Sequence, residues 1–203
     1  PLNIDAIKNG IPQLVGNLSS DIEGAKNASM AIMTTDTIEK QAGIQFEIGG
    51  KKITLAAMAK GSGMIHPNMA TMLSFITTDI SISPSLLKEA LKESVNISYN
   101  RISVDGDSST NDMVLIMANG LASNETITEK NNDYNLFLDA LTALNIHISK
   151  KIAKDGEGAT KLIECTVKNA NSIKDAETLS KSVVTSSLVK AAIFGSDANW
   201  GRI

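Results

Sequence analysis

Cysteine is almost absent from this 203-residue chain: Cys165 stands alone, which excludes an internal disulfide. Histidine is nearly as scarce, and His66 and His147 fit no Cys/His spacing of a metal site, so no metal is expected. Aromatic residues make up 3% of the chain, and its net charge of -3 comes from interspersed rather than blocked charges. That combination argues against a basic, stacking nucleic-acid surface and favours a small-molecule partner. No apolar run approaches the roughly 20 residues of a membrane-spanning helix. No cationic leader precedes an apolar segment. A soluble, cytoplasmic protein is expected.

What is present suffices for one buried core, since 42% of the residues are hydrophobic, and residues 1–203 read as one domain. Ile4, Ile7, Ile11, Leu14, Val15 and Leu18 recur at helical spacing, with Pro12 expected to break or restart the helix. Ser19 or Ser20 is expected to cap a second helix through Ala31, and residues 45–48 and 52–58 read as a hairpin around Gly49-Gly50. Residues 72–80 read as a buried strand, and Ser83-Pro84 opens a helix striped by Leu87, Leu91 and Val95. Strands are expected at 101–105, 113–118 and 161–167, the last placing Cys165 on one face as a small apolar residue. The longest helix carries Phe137, Leu141, Leu144, Ile148 and Ile152, and a final helix runs from about Lys174 to Phe194. Helices mixed with hairpins predict an α+β fold, with mixed sheets sandwiched with helices.

One stretch carries most of the chemistry. Lys60-Gly61-Ser62-Gly63 has a superficial likeness to a phosphate loop, but its lysine precedes the glycines instead of following them and opening a helix. Acyl transfer is the more coherent reading, because Ala70-Thr71 lies just ahead of an apolar strand and a threonine at a new chain start would carry its own base, the α-amine. By composition alone, a threonine opening a strand is more often structural. Lys60 and Glu157 likewise read first as a solvated lysine beside a loop and a polar residue between glycines.

The stretch from Lys60 to Leu73 resembles the signature of the ornithine acetyltransferase family, the glutamate N-acetyltransferases and amino-acid acetyltransferases of arginine biosynthesis. Residues 33–37 (MTTDT), 104–112 (VDGDSSTND), 155–161 (DGEGATK) and 197–203 (DANWGRI) resemble further family segments in the family's order. The resemblance implies a self-cleaving, N-terminal-nucleophile type of architecture, with cleavage between Ala70 and Thr71. Residues 1–70 would then end one chain and 71–203 begin the other. It implies Thr71 as the nucleophile that takes acetyl from N-acetylornithine as an ester and passes it to glutamate. It also places substrate-binding positions on Thr34, Lys60, Thr71 and Glu157. A lysine suits a carboxylate there, and a glutamate suits an ornithine amine.

No cofactor is implied, although acetyl-CoA stays open as a second donor. The partners implied are the two small-molecule substrates and the two chains of one precursor, assembled as a heterotetramer. Asp107 and Asn111 are expected near the site without an assigned role. The family's oxyanion-hole Thr-Gly pair would precede Pro1, and other substrate contacts would follow Ile203, so the chain is expected to be a central part of a longer enzyme. Two other readings remain open at this point: an amidase or aminopeptidase of the same self-cleaving type, and a folding or assembly module without activity of its own.

Overall fold

The computed structural model describes residues 2–66 and 72–203. Two helices come first, α1 (Ile4–Gly16) and α2 (Ile22–Ala31). α1 runs through Pro12 without interruption. Proline costs the helix one backbone hydrogen bond, and on this exposed stretch water can take the freed carbonyl. α2 is capped by Asp21, whose carboxylate accepts from Gly24 N at 2.6 Å while Ser19 Oγ donates to the same oxygen at 2.9 Å. Ser19 therefore supports the cap without forming it.

The hairpin forms β1 (Lys40–Ile48) and β2 (Lys51–Lys60), antiparallel with Ile48 opposite Lys51. Gly49 and Gly50 both adopt positive φ (54° and 71°), the backbone that a two-residue turn of this hand requires. β3 (Leu73–Thr78) pairs antiparallel with β2, and β4 (Met113–Ala118) pairs parallel with β3. The sheet order is β1-β2-β3-β4. Between β3 and β4 lies α3 (Pro84–Ile97), with Pro84 in its first turn, where the missing N–H costs nothing.

One sheet face is buried under α4 (Asn132–Lys154), which packs on β1 and β2 and against α3. Ile53, Leu55, Ala57 and Ala59 of β2 alternate into this core and meet Phe137, Leu141, Ile148 and Ile152, all nearly or fully inaccessible. A polar chain also crosses it. Ser74 and Tyr99 share a hydrogen bond of 2.9 Å, Tyr99 donates to Asn145 Oδ1 at 3.3 Å, and Asn145 Nδ2 donates to Ser94 Oγ at 2.7 Å. Burial holds the Tyr99 phenol protonated far above its ordinary range.

The α+β expectation holds, with a mixed sheet and six helices among the described residues. Three local expectations do not. Residues 101–105 form no strand: a 3-10 turn spans Tyr99–Arg101, and Val104 N donates to Ile65 O at 2.7 Å instead of joining the sheet. Residues 161–167 form no strand either, because among the described residues no neighbouring strand offers them a ladder. Their alternation survives only as alternate half-burial, Cys165 included. The last helix is two, α5 (Ile173–Thr185) and α6 (Ser187–Phe194). Ser186 is extended between them, and its Oγ accepts from Val189 N at 3.3 Å. A serine after Val183-Val184-Thr185 favours that cap over helix continuation.

Candidate functional site

Lys60 ends β2 opposite Leu73, the first residue of β3, so the strand register sets this lysine beside the start of the strand that follows the expected junction. From Lys60 the chain enters a loop shaped by two carboxylates. Asp36 Oδ1 accepts from Gly61 N at 2.7 Å, and Asp105 accepts from the backbone N–H groups of Met64 and Ile65. Gly61 has φ 150°, a conformation that side chains rarely adopt.

The loop opens onto a cavity of about 490 Å³ whose walls include Thr34, Lys60, Gly63, Asp107, Ser108 and Glu157. Three of the four substrate-binding residues expected from sequence therefore meet at one cavity, from chain positions more than a hundred residues apart. Thr71 and Ala70 lie outside the described residues. Asp107 joins the cavity as expected, whereas Asn111 is exposed and is not part of its wall.

Glu157 is set by its backbone as well as by space. Its N–H donates to Ser62 O at 2.8 Å. A Cβ placed on Gly63 would lie 2.6 Å from Glu157 Oε1, so the missing side chain of Gly63 is the room that the carboxylate occupies. Across the loop, Thr35 and Ser62 share a hydrogen bond of 2.6 Å. The arrangement presents one ammonium, two carboxylates and several hydroxyls, a donor set suited to a small zwitterion.

Two features escaped the sequence reading. Asp112 Oδ1 accepts from Met72 N at 2.9 Å, while its Oδ2 is buried without a partner among the described residues. Burial raises its pKa, and the Met72 N–H and the Lys60 charge only partly oppose the rise. The second is an ion triad beneath the cavity. Lys40 Nζ lies 2.6 Å from both Asp36 Oδ1 and Asp155 Oδ2, with the lysine side chain fully inaccessible. Burial would raise both carboxyl pKa values, yet hydrogen bonds outweigh it and hold both below the ordinary value. The Gly61 N–H leads at Asp36 and the Lys40 ammonium at Asp155. Lys40 is the first residue of β1, five residues ahead of the strand read from sequence, so no local pattern pointed there.

A larger hollow, about 690 Å³, lies between the end of α4, residues 157–166 and helices α5 and α6. Of the expected substrate residues it gathers only Glu157, so chemistry favours the smaller cavity.

The profile of the ArgJ family matches residues 1–203. The chain belongs to the ArgJ family. It is 58% identical over 203 residues to the arginine biosynthesis bifunctional protein ArgJ 1 of Clostridium acetobutylicum, covering 100% of this chain and 49% of that one. It is 56% identical to the ArgJ of Symbiobacterium thermophilum, again over 100% of this chain and 50% of the relative. The crystal structure of the Bacillus halodurans ArgJ superposes with a TM-score of 0.63 at 53% identity, over 65% of this chain and 62% of that one. The chain thus spans about half the length of the curated ArgJ relatives it matches.

Proposed function

We propose that this chain supplies the substrate cavity and the nucleophile of an arginine-biosynthesis acetyltransferase, moving acetyl from N-acetylornithine to glutamate. The observation that supports it best is the convergence of Thr34, Lys60 and Glu157 on one cavity, at the end of the strand paired with the one that follows Thr71. In this reading the Lys60 ammonium holds the substrate α-carboxylate and the Glu157 carboxylate holds the amine of ornithine.

Maturation begins when Thr71 Oγ attacks the Ala70 carbonyl carbon. The C–N bond breaks as the C–O ester forms, and water then hydrolyses the ester, leaving Ala70 with a carboxylate and Thr71 with a free amine. That amine accepts the Thr71 hydroxyl proton as Oγ attacks the acetyl carbonyl of N-acetylornithine. Ornithine leaves with the proton, and the acetyl group stays as a threonine ester. The glutamate amine attacks the ester, forms N-acetylglutamate and returns the proton to Oγ. No cofactor enters these steps, and acetyl-CoA would join only as another acetyl donor. The two chains from one precursor remain together in a heterotetramer in the cytoplasm. Among the described residues, no helix is long and apolar enough to cross a membrane.

A Thr71→Ala variant of the full-length protein tests this. It is expected to run as one uncleaved chain by intact mass and to lose acetyl transfer. Normal cleavage in that variant would sink the proposal. Turnover of N-acetylornithine without glutamate, at the rate seen with it, would instead favour a hydrolase of the same self-cleaving type.

A further inference from the structure

We propose that Asp36, Lys40 and Asp155 act together as an ionic clamp that sets the spacing of the three substrate-holding segments, with Lys40 as the positioning residue at its centre. The proposal rests on the acetyltransferase reading for what the segments hold, and on geometry alone for the clamp.

Lys40 spends all three ammonium donors inside the protein: on Asp36 Oδ1 and Asp155 Oδ2 at 2.6 Å each, and on Ile38 O at 3.3 Å. Each carboxylate then reaches a site segment. Asp36 accepts from Gly61 N at 2.7 Å, next to Lys60, and from Thr34 N at 3.3 Å. Asp155 accepts from Thr37 N at 3.0 Å and from the Thr37 hydroxyl, and stands two residues before Glu157. One buried ammonium thereby ties the backbone beside Thr34, Lys60 and Glu157 to the first residue of β1, a strand paired along its whole length with β2.

Stability alone does not explain this choice of residues. A buried ion pair recovers little more than its own desolvation cost, and well-packed apolar side chains serve a core at least as well. Two carboxylates around one ammonium leave a net negative charge in the interior, and apolar residues could not accept the N–H groups of Thr34, Gly61 and Thr37. What the triad adds is fixed distance between loops from three parts of the chain. Displacing a group that holds ground state and transition state alike weakens binding, and the loss falls on KM.

The test uses the full-length protein, with Asp155→Asn as the main variant because it keeps shape and an acceptor while removing the charge. Self-cleavage, read by intact mass, is expected to persist. KM for N-acetylornithine is expected to rise on the order of 10-fold or more, with kcat per folded enzyme changed much less. Lys130→Met, which removes an exposed pair with Glu89, serves as the control with unchanged kinetics. A lowered melting temperature with unchanged KM would assign the triad a structural role only and overturn the proposal. Amide exchange judges the clamp without any activity. Asp155→Asn is expected to speed exchange at Thr34, Gly61 and Glu157 together while Ile53 and Leu55 in β2 stay protected. Wild-type exchange at all three positions overturns the clamp, and the same measurement on Asp36→Asn decides if Asp155→Asn does not fold. Absence of acetyl transfer in the wild-type enzyme counts against the proposed function, and the exchange result still decides the clamp.

Discussion

The wall of the candidate cavity and the N-terminal helix α1 are built by opposite means. Around the cavity, loops from residues 33–37, 60–66 and 155–158 have little apolar material and are held by carboxylates that accept backbone N–H groups and one buried ammonium. α1 has a regular apolar stripe, yet none of its residues is buried, and Ile4, Ile7, Ile11 and Leu14 are all exposed. Periodicity therefore marks a helix without saying whether its stripe is covered. Burial at the cavity arises where no periodic pattern exists, because short side chains there replace secondary structure as the partner of the backbone.

The largest effect expected from that contrast is on stability. Lys40→Met leaves Asp36 and Asp155 buried without a counter-charge and is expected to cost roughly 3–5 kcal/mol in denaturant unfolding of the full-length protein. Arg101→Met removes an ion pair with Glu177 that is 41% and 28% exposed, and is expected to cost no more than about 1 kcal/mol. Equal losses would erase the difference between the two kinds of pair.

Glycine sharpens the same comparison through activity. Gly63→Ala puts a methyl group where the Glu157 carboxylate lies and is expected to raise KM for N-acetylornithine about 5- to 30-fold, equivalent to about 1–2 kcal/mol of lost binding. Gly10→Ala meets no atom within 4 Å inside α1 and is expected to gain about 0.5–1 kcal/mol of stability with unchanged kinetics. A melting curve and a steady-state assay on each variant check both signs.

The smallest effect is set by acid. Asp36 and Asp155 titrate below their ordinary value in the folded protein, so their contribution is present above the unfolded value near 3.8 and is lost as pH falls through the folded ones. Asp112 has the opposite sign: its raised pKa means that ionisation costs stability as pH rises through its unfolded value. Unfolding midpoints below pH 4 are therefore expected to drop less in Asp36→Asn than in the wild type.

Much of the fold was legible in the chain. β2 alternates Ile53, Leu55, Ala57 and Ala59 inward, and α4 repeats Phe137, Leu141, Leu144 and Ile148 at helical spacing, so local pattern and burial agree. Residues 161–167 alternate as well, yet form no strand, because a ladder needs a neighbour and the pattern does not supply one. At the site, Thr34, Lys60 and Glu157 were found by family resemblance. The resembling segments include Asp36 and Asp155 but not Lys40, and nothing along the chain joins the three, which are spread from residue 36 to residue 155.

Sequence by itself determined the elements with strong periodicity and the family, since these depend on neighbours along the chain or on matched motifs. Tertiary structure alone decided that Thr34, Lys60 and Glu157 share one cavity and that a fully buried lysine binds their loops together. Those relations depend on charges brought within hydrogen-bond distance across more than a hundred residues, and the strength of such contacts comes from burial that no local stretch of sequence encodes.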